Sequence, residues 1–390
     1  MKFTAESPRA LTDTIRWAAQ GVASRPTWPV PARLLITATG HNDLVRFSGS
    51  DHDVGAAADT IATVAEPGSA LIPANLLASI MRALPDKPLS FTLGENDRLA
   101  ELECGSATFH LASIPLDGYP SLPVLPAPVA RVGSDQLARL AGQVVFAASR
   151  DENAQVLHGV NTHITGGMLA MTATDRYRLA TGGVPCEMLA DADDWPPALI
   201  RADVLDRFAK ALPGGTDVDI SMGTSSDGYA SLAGFTAAGR SLSVRLLSGE
   251  FPSDSARRLL GMPVSATAVM DALEVAQAVA RAEVVSVPGA GVTVTFTAGE
   301  AKVTGSDGEG AREEETFPCD FDGPDLVTIR VNPKFLRAAV EAVQDERVAV
   351  EFTSAAPRIV IRAYVPPAAQ GDDALAYRHL LMPIKAGDAR

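Results

Sequence analysis

Four kinds of segment recur in the same order three times along the 390 residues. A long-period repeat constrains the fold more than composition does, because each copy must bury its own core. The spacing predicts an amphipathic helix over 7–24, 134–150 and 268–285. In the middle copy Leu137, Leu140, Val144 and Ala147 share one helical face. Ser134, ahead of Asp135, suits an N-cap, where its hydroxyl accepts an orphan amide. Next come two strands ending in a small residue, a hydroxyl residue and an aspartate. These read Gly49-Ser50-Asp51, Ala173-Thr174-Asp175 and Gly305-Ser306-Asp307, with the aspartates 124 and 132 residues apart. A second helix follows from about 72, 200 and 331, twice with a proline near its start. An alternating strand closes each copy at 89–93, 218–222 and 348–352, its period of two placing one face on a core.

A period near 130 residues is too long for a solenoid unit and fits one α+β domain of two helices on antiparallel sheet, copied three times. Boundaries near 124 and 262 divide the chain into 1–124, 125–262 and 263–390. The aromatic–proline pairs Tyr119-Pro120 and Phe251-Pro252 beside them suit extended linkers.

Each copy is long enough to form a core without metal or disulfides. Cys104, Cys186 and Cys319 are far apart and odd in number, so they frame no disulfide set and no metal knuckle, and a reducing cytoplasm is the expected compartment. The opening MKFTAESPRALTD lacks the pattern of a signal peptide, and no apolar run reaches the roughly 18 residues of a membrane helix. Aromatic residues, at 5%, are too few for a stacking platform on single strands.

The net charge of −14 speaks at first against any nucleic acid. Its distribution changes that reading. The six helical segments together carry +2, and the remaining residues carry −16. Helices gathered on one side would accept a polyanion that the acidic remainder repels. So small a basic excess excludes tight static phosphate binding and suits a surface that slides.

The chain resembles the bacterial DNA polymerase III beta subunit, the sliding clamp, over essentially its whole length. The residues that carry the resemblance are Ser24-Arg25-Pro26-Thr27-Trp28-Pro29-Val30, Ala148-Ser149-Arg150-Asp151-Glu152, Thr172-Ala173-Thr174-Asp175-Arg176-Tyr177-Arg178-Leu179-Ala180, Val331-Asn332-Pro333-Lys334-Phe335 and Leu380-Leu381-Met382-Pro383-Ile384-Lys385. The resemblance implies the DNA clamp fold, with two three-domain chains closing head to tail into a ring around duplex DNA. It implies a non-catalytic processivity factor without cofactor or metal. Its partners would be the polymerase alpha subunit and the clamp loader, each inserting a short peptide with leucine and aromatic anchors. The peptide pocket carried over by the resemblance is Leu157, Thr174, Tyr177, Arg178, Leu179, Pro252, Leu259, Phe335, Met382, Pro383 and Ile384. Arg25 matches a DNA contact. Arg82, Arg139, Arg150, Arg201, Arg207, Lys210, Lys334 and Arg337 are expected on the inner helices, and Val284 and Val285 at the joint between chains.

The chain departs from the family pattern beside the pocket. Five residues follow Lys385, the segment after Phe251-Pro252 is longer, Asp254 replaces an aromatic residue, and Ala154 and Val156 are small. These changes keep open a second clamp copy with an altered pocket that protects against a clamp-binding antibiotic, and a monomeric adaptor. An enzyme finds little support. His52 lies between Asp51 and Asp53, and His158 and His163 are five apart without the HExxH pattern. Asp51 recurs as Asp175 and Asp307, which marks a turn position rather than a metal ligand.

Overall fold

The computed structural model describes residues 1–22, 32–94, 98–151, 153–191, 194–224, 230–353, 358–366 and 376–384. The first repeat runs β1 (Lys2–Ala5), α1 (Pro8–Ala18), β2 (Arg33–Thr39), β3 (Leu44–Ser50), β4 (Val54–Ile61), β5 (Thr63–Glu66), β6 (Gly68–Pro73), α2 (Ala74–Ala83), β7 (Leu89–Leu93), β8 (Leu99–Cys104) and β9 (Ala107–Ala112). The second runs β10 (Pro128–Gly133), α3 (Ser134–Val144), β11 (Gly159–Thr165), β12 (Met168–Thr174), β13 (Arg178–Pro185), β14 (Glu187–Met188), β15 (Ala198–Arg201), α4 (Ala202–Ala211), β16 (Asp217–Thr224), β17 (Ala230–Ala237) and β18 (Arg240–Arg245). After α5 (Ser253–Leu260), the third runs β19 (Val264–Asp271), α6 (Ala272–Val285), β20 (Val292–Thr297), β21 (Gly299–Ser306), β22 (Arg312–Asp322), β23 (Val327–Val331), α7 (Pro333–Glu341), β24 (Arg347–Thr353), β25 (Ile359–Ala363) and β26 (Arg378–Leu381).

The expected order holds in every copy, and four local expectations need correction. The first helix of each repeat is shorter than its apolar pattern. α1 and α3 each pass into a 3-10 turn, at Ala19–Gly21 and Val145–Ala147. In the third copy, residues 268–271 belong to β19, where Val269 and Met270 complete a strand ladder with β24. The Ser134 hydroxyl accepts the Thr216 N–H from the loop before β16, at 3.1 Å, so it ties two segments together. The stretch after Phe251-Pro252 is the helix α5 rather than a linker, with Pro252 at its N-terminal boundary. The Tyr119-Pro120 stretch does run without regular structure, Leu122 and Leu125 lying over Gly55 and Gly234.

Three of the helices start where a side chain satisfies an orphan amide. Ser7 accepts the Arg9 N–H, Asp271 the Glu274 N–H and Asn332 the Lys334 N–H. The recurrent aspartates build the same turn three times. The Asp51 carboxylate accepts the N–H groups of Asp53 and Val54; Asp175 accepts those of Tyr177 and Arg178; Asp307 accepts those of Glu309, Gly310 and Ala311. The next residue takes positive φ in each: His52 at 76°, Arg176 at 79° and Gly308 at 76°. His52 is therefore a turn residue. Just before each turn, the strand lies against the end of the first helix. A Cβ on Gly49 would sit 2.5 Å from the Ala18 carbonyl oxygen, and one on Gly305 would sit 2.2 Å from that of Ala282.

The chain separates into two compact units. The first comprises Met1–Ala138, Ile164–Gly167 and Pro185–Leu247, and the second comprises Arg139–His163, Met168–Val184 and Ser248–Arg390. In the first unit Phe3, Leu11, Ile15, Leu34, Phe47, Leu77 and Phe91 form a buried cluster, with Phe3 and Phe91 stacked at 5.2 Å. A nine-stranded sheet in this unit has the order β14-β10-β16-β17-β18-β4-β3-β2-β6. It joins the first two repeats edge to edge, since β4 pairs antiparallel with β18, Ala58 opposite Arg240 and Val54 opposite Val244. Trp17 closes that seam by packing on Phe208 and donating its indole N–H to the Ser241 carbonyl, at 3.0 Å.

The second unit repeats the device. Its sheet runs β11-β12-β13-β26-β25-β24-β19-β22-β21-β20-β23. Here β13 pairs with β26, Arg178 opposite Leu381 and Thr181 opposite Arg378. The third strand after the first helix of one repeat thus always meets the last strand of the next.

Candidate functional site

The second seam brings together many of the residues expected to line a peptide pocket. The Asp175 turn opens β13 and fixes Arg178. Asp175 Oδ1 accepts the Arg178 backbone N–H and Oδ2 accepts its Nε–H, both at 2.9 Å. The Thr174 hydroxyl donates to the Arg178 carbonyl at 2.7 Å. The guanidinium lies over the Phe335 ring, 4.2 Å from its centroid, and 5.4 Å from that of Phe146. The Arg178 and Asp175 side chains retain only 14% and 13% exposure. A planar cation between aromatic faces, with one edge on a carboxylate, keeps its remaining donors in a fixed direction.

Beside this post lies an apolar cluster. Leu179, Ala256, Val360 and Leu380 are buried together, with Leu259, Leu260 and Met382 half-buried against them. Met382 is placed by its N–H bond to the Tyr177 carbonyl, and Ile384 by one to the Arg330 carbonyl. Tyr177 stands 67% exposed, unusual for a ring of its size. Pro252 is exposed and Pro383 half-buried, while Leu157 is buried in a 3-10 turn whose carbonyl accepts the Ser149 N–H. The structure thus joins Thr174, Tyr177, Arg178, Leu179, Leu259, Phe335 and Met382 through direct contacts, and adds Ile384 through β23.

Sequence reasoning missed the support beneath them. Phe146 stacks on His379 at 5.4 Å and 4° between planes. His379 is fully buried, with Nδ1 3.0 Å from the Tyr377 hydroxyl, and Nε2 has no partner among the described residues. Burial, aided by the nearby Arg178 charge, lowers its pKa to about 3, so the ring is neutral. Burial likewise pushes the Tyr377 hydroxyl upward. No motif signals these residues, because they meet only through the β13–β26 pairing. The helix α5 had a readable signal in Asp254 near its start and Arg257 and Arg258 in its last turn.

Arg25, the end of the first expected helix and Lys385 lie outside the described residues. The other cations expected on inner helices divide in two. Arg150 lies beyond α3, and Arg201 ends β15, so neither is helical as expected. Each departs because the chain has already turned, at the Val145–Ala147 3-10 turn and at the β15 ladder end. Arg201 binds Asp203 through two bonds, Arg207 reaches the same residue, Lys210 pairs with Asp206, and Arg337 pairs with Glu283 and Glu341. Arg82, Arg139, Arg150 and Lys334 are exposed without a carboxylate partner among the described residues. An open groove of about 950 Å³ between α6 and α7 is lined by Leu273, Gln277, Arg337 and Glu341 among others. Val284 is 83% exposed at the end of α6, and Val285 is half-buried. No helix among the described residues is long and apolar enough to cross a membrane.

Three like domains built on edge-to-edge strand seams define a clamp architecture. The comparisons name the family. The descriptions of the DNA polymerase III beta subunit match in chain order: the N-terminal domain over residues 1–123, the central domain over 131–253 and the C-terminal domain over 257–374. The chain is 30% identical over 383 residues to the beta sliding clamp of Streptomyces coelicolor, covering 96% of this chain and 97% of that one. It is 31% identical over 388 residues to the beta sliding clamp homolog GriR of Streptomyces muensis, covering 99% of each. In fold it matches the crystal structure of a Pseudomonas aeruginosa DnaN sliding clamp bound to griselimycin, with a TM-score of 0.86 and 21% identity over 99% of this chain and 100% of that one. The chain belongs to the DNA polymerase III beta subunit family, the bacterial sliding clamps.

Proposed function

We propose that the protein is a sliding clamp that closes as a head-to-tail dimer around duplex DNA and tethers the replicative polymerase without chemistry of its own. The observation that carries this is an open seam. In the third repeat the counterpart of β4 and β13 is β22. Its residues 312–319 pair with β21 on one side only, while β19 meets residues 320–322. The counterpart of β18 and β26 is β9, an edge strand paired with β8 alone. Both are edges among the described residues, and unprotected edges recruit strands. A second copy supplies the complement to each, and two such joints close a ring.

The internal registers support one register for the joint. Ser50 opposite Gly55 aligns with Ser306 opposite Arg312. Ala237 opposite Arg240 aligns with Cys104 opposite Ala107. Transferring the first seam then places Glu313 opposite the partner's Phe109, and Glu314 opposite the partner's Thr108. Phe146 packs on the last strand of the next repeat at the second seam. Its counterpart at the end of α6 is Val284, which faces the partner's Phe109. This supports the reading of Val284, and with it the adjacent Val285, as joint residues. The domains are assigned to 1–124, 125–262 and 263–390.

The pocket around Arg178 takes peptides of the polymerase alpha subunit and the clamp loader. Leucine and aromatic anchors fill the apolar wall formed by Leu179, Leu259 and Met382, and the free guanidinium N–H groups of Arg178 donate to peptide carbonyls. Arg82, Arg139, Arg150 and Lys334, with Arg25, supply sparse phosphate contacts, weak enough to slide. The cytoplasm is the compartment. The test is retention on circular DNA after loading: the protein stays on the circle and is lost when the DNA is cut. Equal retention on linear DNA would sink the topological reading.

The altered pocket wall favours a second reading, a clamp copy that protects against an antibiotic. α5 carries Arg257 and Arg258 in its last turn, within the stretch whose length departs from the family pattern. Titration with griselimycin separates the two: ordinary affinity removes the protective role, and weak binding with intact peptide binding supports it.

A further inference from the structure

The two internal seams bury small residues at the positions where the third carries acid. Ala56 and Ala180 are both fully buried, opposite Leu242 and His379. Their counterpart in the open seam is Glu313. In the isolated chain Glu313 is already half-buried, and its Oε2 is buried without a partner among the described residues. Its neighbours are committed elsewhere. Arg281, on α6, gives Nε and Nη2 to Glu315, both at 2.7 Å. Glu314 takes Lys302 of β21 at 2.7 Å and also Arg312. Glu283 of α6 is bound to Arg337.

We propose that the joint between two copies of this chain is gated by a proton on Glu313: it closes on the neutral carboxyl and loosens on the carboxylate. This rests on the head-to-tail reading above. The joint places the partner's Ala107, Phe109 and Leu111 on the same face as Glu313, and none offers a side-chain donor. The titratable group on that partner strand is His110, on the opposite face, 3.6 Å from Glu101 of its own chain and opposite Arg312. Glu101 and Glu103 on β8 add no positive charge. Closure therefore buries the rest of Glu313 against apolar side chains that offer no donor, which disfavours its charged form. Burial already raises the Glu313 pKa in the free chain, and Glu315 adds to the rise against the opposing charge of Arg281. Association then takes up a proton, so the dimer tightens as pH falls and loosens as pH rises.

The test measures dimer dissociation of the full chain by sedimentation between pH 5.5 and 8.5, for the wild type, Glu313→Gln and Glu313→Ala. The expected result is at least tenfold tighter dimers for both variants at pH 7.5, with most of the pH dependence gone. His110→Gln, which removes the other titrating group, retains the dependence. Unchanged or weaker dimers of the Glu313 variants would overturn the gate. A second chain carrying Thr108→Cys and Glu314→Cys keeps the two readings apart. Oxidation should link copies through these exposed facing positions, while Cys104 and Cys319 are buried and the half-buried Cys186 is changed to Ser in the same chain. Links without a Glu313 effect leave the ring reading standing and refute the gate. Absence of links under conditions where the chain dimerises refutes the proposed register itself.

Discussion

Removing the guanidinium of Arg178 is the most informative single change in the proposed pocket. Arg178→Ala deletes the cation between Phe335 and Phe146 and the 2.9 Å bond to Asp175. The aromatic contacts contribute about 1–2 kcal/mol for a desolvated cation. Removing one member of a fully buried ion pair costs about 3–5 kcal/mol, mostly from the stranded partner. Asp175 is less stranded than that, because the Tyr177 and Arg178 amides still donate to it. The expected loss of folding stability is therefore about 2–3 kcal/mol, toward the lower end of those figures. Peptide binding loses a charge-assisted hydrogen bond of about 1.5–3 kcal/mol, which corresponds to roughly 10- to 100-fold in affinity. Fluorescence polarisation with a labelled peptide carrying leucine and phenylalanine anchors reads the second effect, and urea unfolding reads the first. Arg178→Lys keeps the charge without the planar fork and falls between. A folded Arg178→Ala protein that binds the peptide within threefold of the wild type would refute the central role of this side chain.

Three further outcomes follow from the same geometry. Val284→Asp, at an 83% exposed position, leaves monomer stability within about 0.5 kcal/mol and weakens the dimer at least tenfold, read by unfolding and sedimentation. Ala56→Glu places at an internal seam the acid that the open seam tolerates, and costs about 3 kcal/mol or more because no donor replaces water there; an unfolding midpoint equal to the wild type would contradict the seam comparison. His379 has its pKa lowered to about 3 in the folded chain and near 6.5 when unfolded, so its contribution is fully present above pH 6.5. It is lost as pH falls toward 3, at about 1.4 kcal/mol per pH unit, and His379→Phe should flatten that part of the urea-stability profile.

The amino-acid pattern determined much of the architecture by itself. Local periodicity and turn chemistry are properties of neighbouring residues, and so the three repeats, the Leu89–Leu93 strand and the aspartate turns were legible. The helix ends were less legible. Residues 268–271 have an apolar pattern that either a helix or a strand can use, and the β24 ladder decided for the strand. The pocket was legible as a set of residues carried by resemblance, but not as a mechanism. Phe146, Arg178, Phe335 and His379 span 233 positions, and only the β13–β26 pairing brings them into one stack. The charge distribution was also only half legible. Sequence counting put a basic excess on the helices, whereas the structure ties Arg201, Arg207, Lys210 and Arg337 to carboxylates. Glu313 shows the same division: a run of three glutamates is plain in the sequence, but which of them faces a seam depends on strand register, a relation between distant backbones that no local pattern encodes.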